Sequence, residues 1–133
     1  GDLASALPQG DFVIVTVPET PETQGMFAAS QFKAMKNTAF FINIGRGATV
    51  ELDDLVDALR AGEIAGAGLD VFQTEPLPAG HPLWSIPGVL ITPHVAGDGP
   101  YLQERRTDLF IDNCVRFNEG RPLRNVVDKA NWF

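Results

Sequence analysis

"FFINIGRGATVELDD" (Phe40–Asp54) joins an apolar run to an amphipathic one through a single turn. "FFIN" is short, aromatic and branched, which is the composition of a strand. The segment "ELDDLVDALRAG" (Glu51–Gly62) places Leu52, Leu55, Val56 and Leu59 at i, i+3, i+4 and i+7, the period of one helical face. Gly62 is well placed to end that helix in a left-handed conformation. At the joint stands Arg46, with Gly45 before it and Gly47 after it. Strand, turn and helix in that order form half of a parallel crossover unit, so this stretch decides the fold class.

The flanking segments repeat the theme. "DFVIVTVP" (Asp11–Pro18) is a β-branched strand ended by proline, and "AASQFKAMKN" (Ala28–Asn37) a short helix with Phe32 and Met35 inward. "AFFIN" (Ala39–Asn43) is the second strand. "IAGAGLDVF" (Ile64–Phe72) is a third, with small residues that let a helix approach, and "GVLIT" (Gly88–Thr92) a fourth. The four prolines between Gln73 and Pro87 predict a long loop, a common seat of function. A last helix is expected over Gly99–Asn118, with Leu102, Leu109, Phe110, Cys114 and Phe117 on one side, before the tail "GRPLRNVVDKANWF". The strands are continuously apolar, the pattern of strands covered on both faces. The expected fold is α/β: a partial Rossmann-like, doubly wound parallel sheet with right-handed crossovers, flanking helices and a C-terminal helix.

Composition narrows the function classes. The 133 residues include 44% hydrophobic and 20% charged residues, ordinary values for a globular domain. The net charge of -7 speaks against a nucleic-acid partner, which needs a basic footprint. Two histidines and one cysteine, Cys114, make a metal site unexpected and an internal disulfide impossible. No apolar run approaches a membrane span, and "GDLASALPQG" lacks the basic and apolar regions of a signal peptide, so the expected location is cytoplasmic. That segment also lacks an initiator methionine and reads as a cut end.

Ligands of open parallel sheets bind beyond the carboxyl ends of the strands. Pro18 follows the first strand, Arg46 the second, Asp70 and then Glu75 the third, and His94 the fourth. Arg46 offers a planar fork that matches a carboxylate, and its glycines would let a ligand approach the backbone. His94 can give or take a proton near neutral pH; Glu75, within reach, would orient it. Asp70 could accept a hydrogen bond from a cofactor's amide or hydroxyl. Taken singly, Arg46 could pair with a surface carboxylate, Asp70 and Glu75 could be turn and loop residues, and His94 a structural histidine. Their convergence on one rim argues otherwise. His81 lies inside the long loop and is read as structural.

These residues carry a resemblance. "DFVIVTVPETPET", "MKNTAFFINIGRG", "LVDALRAGEIAGAGLDVFQTEPLP", "HPLW" and "GVLITPHVAG" occur in the order and spacing of the D-isomer-specific 2-hydroxyacid dehydrogenases. The tail "GRPLRNVVD" also looks like the end of such enzymes. The resemblance implies an oxidoreductase that moves a hydride between NAD or NADP and C2 of a small 2-keto or D-2-hydroxy acid. It implies Arg46 as the substrate-carboxylate clamp, His94 as acid/base on the C2 oxygen and Glu75 as its partner. Val17, Pro18, Ile44, Gly45 and Gly97 would line the dinucleotide with Arg46 and His94, and Asp70 would lie by the nicotinamide carboxamide. Glutamate at 75 favours this over the formate dehydrogenase branch, which uses glutamine beside its histidine.

The sequence departs from the family in having no GxGxxG and no acidic residue after it to select NAD over NADP. Residues 1–98 are therefore expected to form the second half of a dinucleotide-binding domain, and residues 99–133 a helix and tail that return to a substrate domain. The alternatives are a dinucleotide-sensing, co-repressor-like protein of the same family, or an inert self-associating fragment. An open apolar sheet edge predicts a homodimer or larger assembly.

Overall fold

The elements run α1 (Leu3–Ala6), β1 (Phe12–Val15), α2 (Ala29–Ala34), β2 (Phe40–Asn43), α3 (Leu52–Ala61), β3 (Gly66–Leu69), β4 (Val89–Ile91) and α4 (Leu102–Asn118). This computed structural model describes residues 2–130. Gly1 and the last three residues of the expected tail, Asn131, Trp132 and Phe133, lie outside the described residues. The chain divides into two units, Gly1–Ala96 and Gly97–Phe133. No helix among the described residues is long and apolar enough to cross a membrane.

The first unit is a parallel sheet in the order β1-β2-β3-β4. Its register aligns Val13, Phe41, Ala67 and Val89 in one row and Val15, Asn43, Leu69 and Ile91 in another. Side chains alternate across a sheet, so these two rows share a face, and Val15, Phe41, Ala67 and Leu69 on it are buried. Helices α2 and α3 supply Phe32, Leu55, Val56 and Ala58 to the same core. Phe32 meets Phe41 edge-on with ring centroids 5.2 Å apart, and Phe27 lies 4.9 Å from Phe41. Both arrangements are favoured aromatic contacts.

Helix α3 forms where its apolar period predicts. Asp53 and Asp54 occupy its first turn and Arg60 its last, each charge matched to the helix dipole. Gly62 closes it at φ 69°. Asp54 also accepts a 2.8 Å bond from the Ala29 amide at the start of α2, tying the two helices together.

The opposite sheet face differs from expectation. Phe12, Ile14, Phe40 and Leu90 are 65%, 55%, 40% and 68% exposed. The strands order themselves in one direction across the sheet, so successive right-handed crossovers put α2 and α3 on the same side. The connection from β3 to β4 contributes no α-helix, only a 3-10 turn at Pro82–Trp84 within the long loop. His81 caps that turn by accepting the Leu83 amide at 3.3 Å, a structural role.

In the second unit the polar side of α4 is the occupied one. Asn113 exchanges two bonds with the Arg124 backbone, at 2.9 and 3.1 Å. Asp112 receives both Arg116 and Arg124, and Arg116 also donates to the Pro122 carbonyl. The side that carries the apolar residues is not buried: Leu102 and Leu109 are partly covered, Cys114 is exposed, and Phe110 and Phe117 are 70% and 79% exposed. A helix and a short tail offer no second apolar layer within this unit, so polar bonds hold the tail to the helix.

Candidate active site

All four strands are parallel, so their carboxyl ends open on one rim of the first unit. After β2 the chain turns at Gly45–Arg46–Gly47, and buried Asn43, the last residue of the strand, builds that turn. Its Oδ1 accepts the Gly45 amide at 3.0 Å, and its Nδ2 donates to the Arg46 carbonyl at 3.1 Å. The Thr49 hydroxyl donates to the same carbonyl at 2.7 Å. The backbone of Arg46 is thereby fixed while its side chain stays exposed. The guanidinium donates from Nη1 to the Gly45 carbonyl at 2.7 Å and makes no ion pair with a described carboxylate. Arginine carries five N–H donors, so a fork remains for an anion.

The glycines serve the chain itself. A Cβ on Gly47 would lie 1.9 Å from the Phe72 carbonyl carbon, and one on Gly45 2.9 Å from the Val17 oxygen. The side of each glycine where a Cβ would stand is taken by the loops after β1 and β3, which press backbone against backbone and bring the strand ends together.

Glu75 and His94 meet on this rim. Oε1 of Glu75 accepts the Phe72 amide at 2.9 Å, and Oε2 lies 2.7 Å from Nδ1 of His94. The His94 hydrogen bond, then the Phe72 amide, hold the Glu75 carboxyl below its ordinary range against the opposing effect of burial. An ionised carboxylate only accepts, so Nδ1 of His94 carries the hydrogen and donates it. Nε2 is left for chemistry. Pro76 follows Glu75 through a cis peptide bond.

Asp70 is 3% exposed. Its Oδ1 accepts the Thr92 hydroxyl at 2.5 Å and the Val95 amide at 2.9 Å; its Oδ2 accepts the Ala96 amide at 2.8 Å. Burial pushes its carboxyl up, but the bonds from Thr92, Ala96 and Val95 outweigh that and hold it low. A carboxylate has about four acceptor positions, which leaves one on Oδ2.

Arg46, Glu75 and His94 line one open cleft of about 340 Å³, with Glu19, Gly47, Phe72 and others. A second, apolar recess of about 440 Å³ lies against the same Glu75 and His94, walled by Leu77, Trp84 and Ile91. Of the residues expected along a dinucleotide, Val17 is half-buried just past β1, Pro18 is exposed, Ile44 is 43% exposed and Gly45 is buried in the turn. Gly97 begins the second unit.

Residues 1–96 match the model of the D-isomer specific 2-hydroxyacid dehydrogenase, NAD binding domain. The chain belongs to this family. A glyoxylate/hydroxypyruvate reductase B of Citrobacter koseri is 41% identical over 127 residues, which make up 96% of this chain and 39% of that protein. A probable 2-ketogluconate reductase of Dictyostelium discoideum is 39% identical over 97% of this chain and 39% of its own length. The chain thus spans about two-fifths of the curated relatives it matches. Among solved structures, a D-isomer specific 2-hydroxyacid dehydrogenase from Xanthobacter autotrophicus Py2, in complex with NADPH and MES, superposes with a TM-score of 0.90. It is 39% identical over 98% of this chain and 53% of that one.

Asn43, Thr49 and Thr92, which also shape the site, were not marked by the sequence. Asn43 ends a strand, Thr92 follows one and Thr49 ends the 3-10 turn Gly47–Thr49, all places where small polar residues are common. The signal for Asn43 was an amide closing an apolar strand directly before a Gly-Arg-Gly turn, where buried backbone groups need a partner.

Proposed function

We propose that the protein carrying this chain reduces small 2-keto acids to D-2-hydroxy acids with NADH or NADPH, and runs the reverse oxidation. The observation that carries this reading is the shared cleft of Arg46 and the Glu75–His94 pair. An anion fork and an oriented acid/base stand beside each other, as a 2-keto acid requires. The relatives' names and the NADPH-bound neighbour support the same reading.

The residues fit a nicotinamide dinucleotide. Ile44 offers apolar surface at the strand ends, and the remaining acceptor position of Asp70 suits a carboxamide. Val17, Pro18, Gly45 and Gly97 are proposed to flank the dinucleotide with Arg46 and His94. When bound, the cofactor supplies or takes up the hydride at C2. Arg46 holds the substrate carboxylate bidentately. In the direction of reduction, Nε2 of protonated His94 gives its proton to the C2 oxygen, while Glu75 holds Nδ1 and stabilises the imidazolium. Arg46 and His94 place positive charge where the alkoxide develops, a form of preorganisation worth roughly 3–4 kcal/mol per donor.

Residues 1–98 are proposed to be the second half of a dinucleotide-binding domain, and residues 99–133 a helix and tail that return to a substrate domain. We further propose a cytoplasmic homodimer or larger assembly without nucleic-acid or membrane partners. The exposed apolar face with Phe12, Ile14, Phe40 and Leu90 supports a second copy as the partner, and the net charge of -7 disfavours nucleic acid. The test of function is turnover of glyoxylate, hydroxypyruvate and 2-ketogluconate by the protein carrying this chain, read as loss of NADH or NADPH absorbance. No oxidation with any 2-keto acid would sink it. Sedimentation showing only monomer would sink the assembly.

A further inference from the structure

His94 sits at φ 56°, in the left-handed region that a residue with a side chain rarely adopts. Something must hold it there, and Glu75 contacts only the ring. The backbone after His94 is held by Asp70, whose two oxygens take the Val95 and Ala96 amides at 2.9 and 2.8 Å. Successive amides turned toward one carboxylate form an anion-binding nest, here filled by the chain's own side chain. Asp70 is held in turn. The Thr92 hydroxyl donates to the Oδ1 that also takes the Val95 amide. Thr92 extends the β3–β4 ladder, its amide donating to the Leu69 carbonyl at 2.9 Å.

We propose that Thr92 is a positioning residue for His94: its hydroxyl fixes the Asp70 carboxylate, which pins the two amides after His94 and so keeps Nε2 aimed into the Arg46 cleft. The inference rests on the reading of His94 as the proton donor. It divides the work around the histidine. Glu75 sets the ring, and Thr92 with Asp70 sets the backbone that carries it. The Arg46 turn is outside this arrangement, because Asn43 and Thr49 build it separately. Substrate capture and proton delivery therefore hang on different polar networks.

The split gives the test. In the protein carrying this chain, Thr92→Val keeps the shape and deletes the hydroxyl, whereas Thr92→Ser keeps the hydroxyl. Thr92→Val is expected to lower kcat for glyoxylate by about tenfold or more, the scale of a displaced catalytic group, and to leave KM within about twofold. Thr92→Ser restores kcat. Hydrogen exchange of the Val95 and Ala96 amides, followed by NMR, quickens in Thr92→Val and returns to the parent rate in Thr92→Ser. Unchanged kcat and unchanged exchange in Thr92→Val overturn the proposal, as does a kcat loss that serine fails to restore. If the parent protein reduces no 2-keto acid, the proposed function falls. The exchange rates then still decide whether the hydroxyl holds the turn, and unchanged rates in Thr92→Val overturn that part.

Discussion

Nδ1 of His94 and Oε2 of Glu75 lie 2.7 Å apart although the residues stand 19 positions apart in the chain. One lies just past β4 and the other in the long loop after β3, so the path of that loop brings them together. The contact fixes which nitrogen bears the hydrogen and leaves Nε2 outside the pair. His94→Ala would remove the proposed proton donor and leave Arg46 in place. We expect kcat for a 2-keto acid to fall by about 10²–10⁴-fold, the usual worth of general acid–base catalysis, with KM little changed. Steady-state kinetics on the protein carrying this chain check this; a variant with parental kcat would remove His94 from the reaction.

Arg46 is exposed, and the only described hydrogen bond of its side chain is to the Gly45 carbonyl. The proposed role of its side chain is to bind the substrate carboxylate. Arg46→Lys keeps the charge and loses the planar fork. At about 1.5–3 kcal/mol for a charge-assisted bond, kcat/KM should drop by about 10–100-fold, while the melting temperature holds. Equal kcat/KM in parent and variant would exclude the bidentate clamp.

The elements most legible in the sequence were those specified locally. The i, i+3, i+4, i+7 spacing of α3 and the glycine at its end needed no partner to be read, and the strands were marked by apolar runs. The rim was legible because parallel strands send their ends to one side, so Arg46, Asp70 and His94 could be gathered by counting strand ends. What escaped depended on distant partners. Continuous apolar strands imply cover on both faces, yet Phe12, Ile14 and Leu90 are exposed, because cover depends on which way the crossovers run. The bond between Thr92 and Asp70 spans 22 positions, and neither residue announces the other. The glycines beside Arg46 were read as room for a ligand; the demand on Gly47 comes from Phe72, on another strand's loop.

That close approach makes stability predictions with a clear ranking. Gly47→Ala would drive a methyl into the Phe72 backbone, which cannot swing aside as a side chain can. A loss of about 3 kcal/mol is expected, the upper end of common overpacking penalties. Gly62→Ala meets nothing within 4 Å and suffers only from φ 69°. It should cost about 1–2 kcal/mol, the penalty for a left-handed alanine. Denaturant unfolding of the two variants gives the order directly, and a Gly47→Ala protein as stable as the parent would refute the packing of these loops.

Acid should loosen the site through two carboxylates. The His94 bond and the Phe72 amide hold Glu75 low, and bonds from Thr92, Ala96 and Val95 hold Asp70 low despite its burial. Unfolded, the groups titrate near their ordinary values, about 4.3 for glutamate and 3.9 for aspartate. A folded-state value below the unfolded one means that the unfolded chain binds protons first as pH falls. The stabilisation is therefore complete above the unfolded values and disappears as pH drops through the folded ones. The melting temperature should hardly respond to these groups between about pH 7 and pH 5, then fall below about pH 4. Glu75→Gln and Asp70→Asn each remove one titrating carboxylate, so each should melt lower at neutral pH and lose less on acidification. Calorimetry across this range compares the slopes. An acid decline as steep in both variants as in the parent would assign it to other carboxylates, and a melting temperature that rose below about pH 4 would reverse the sign derived from these bonds.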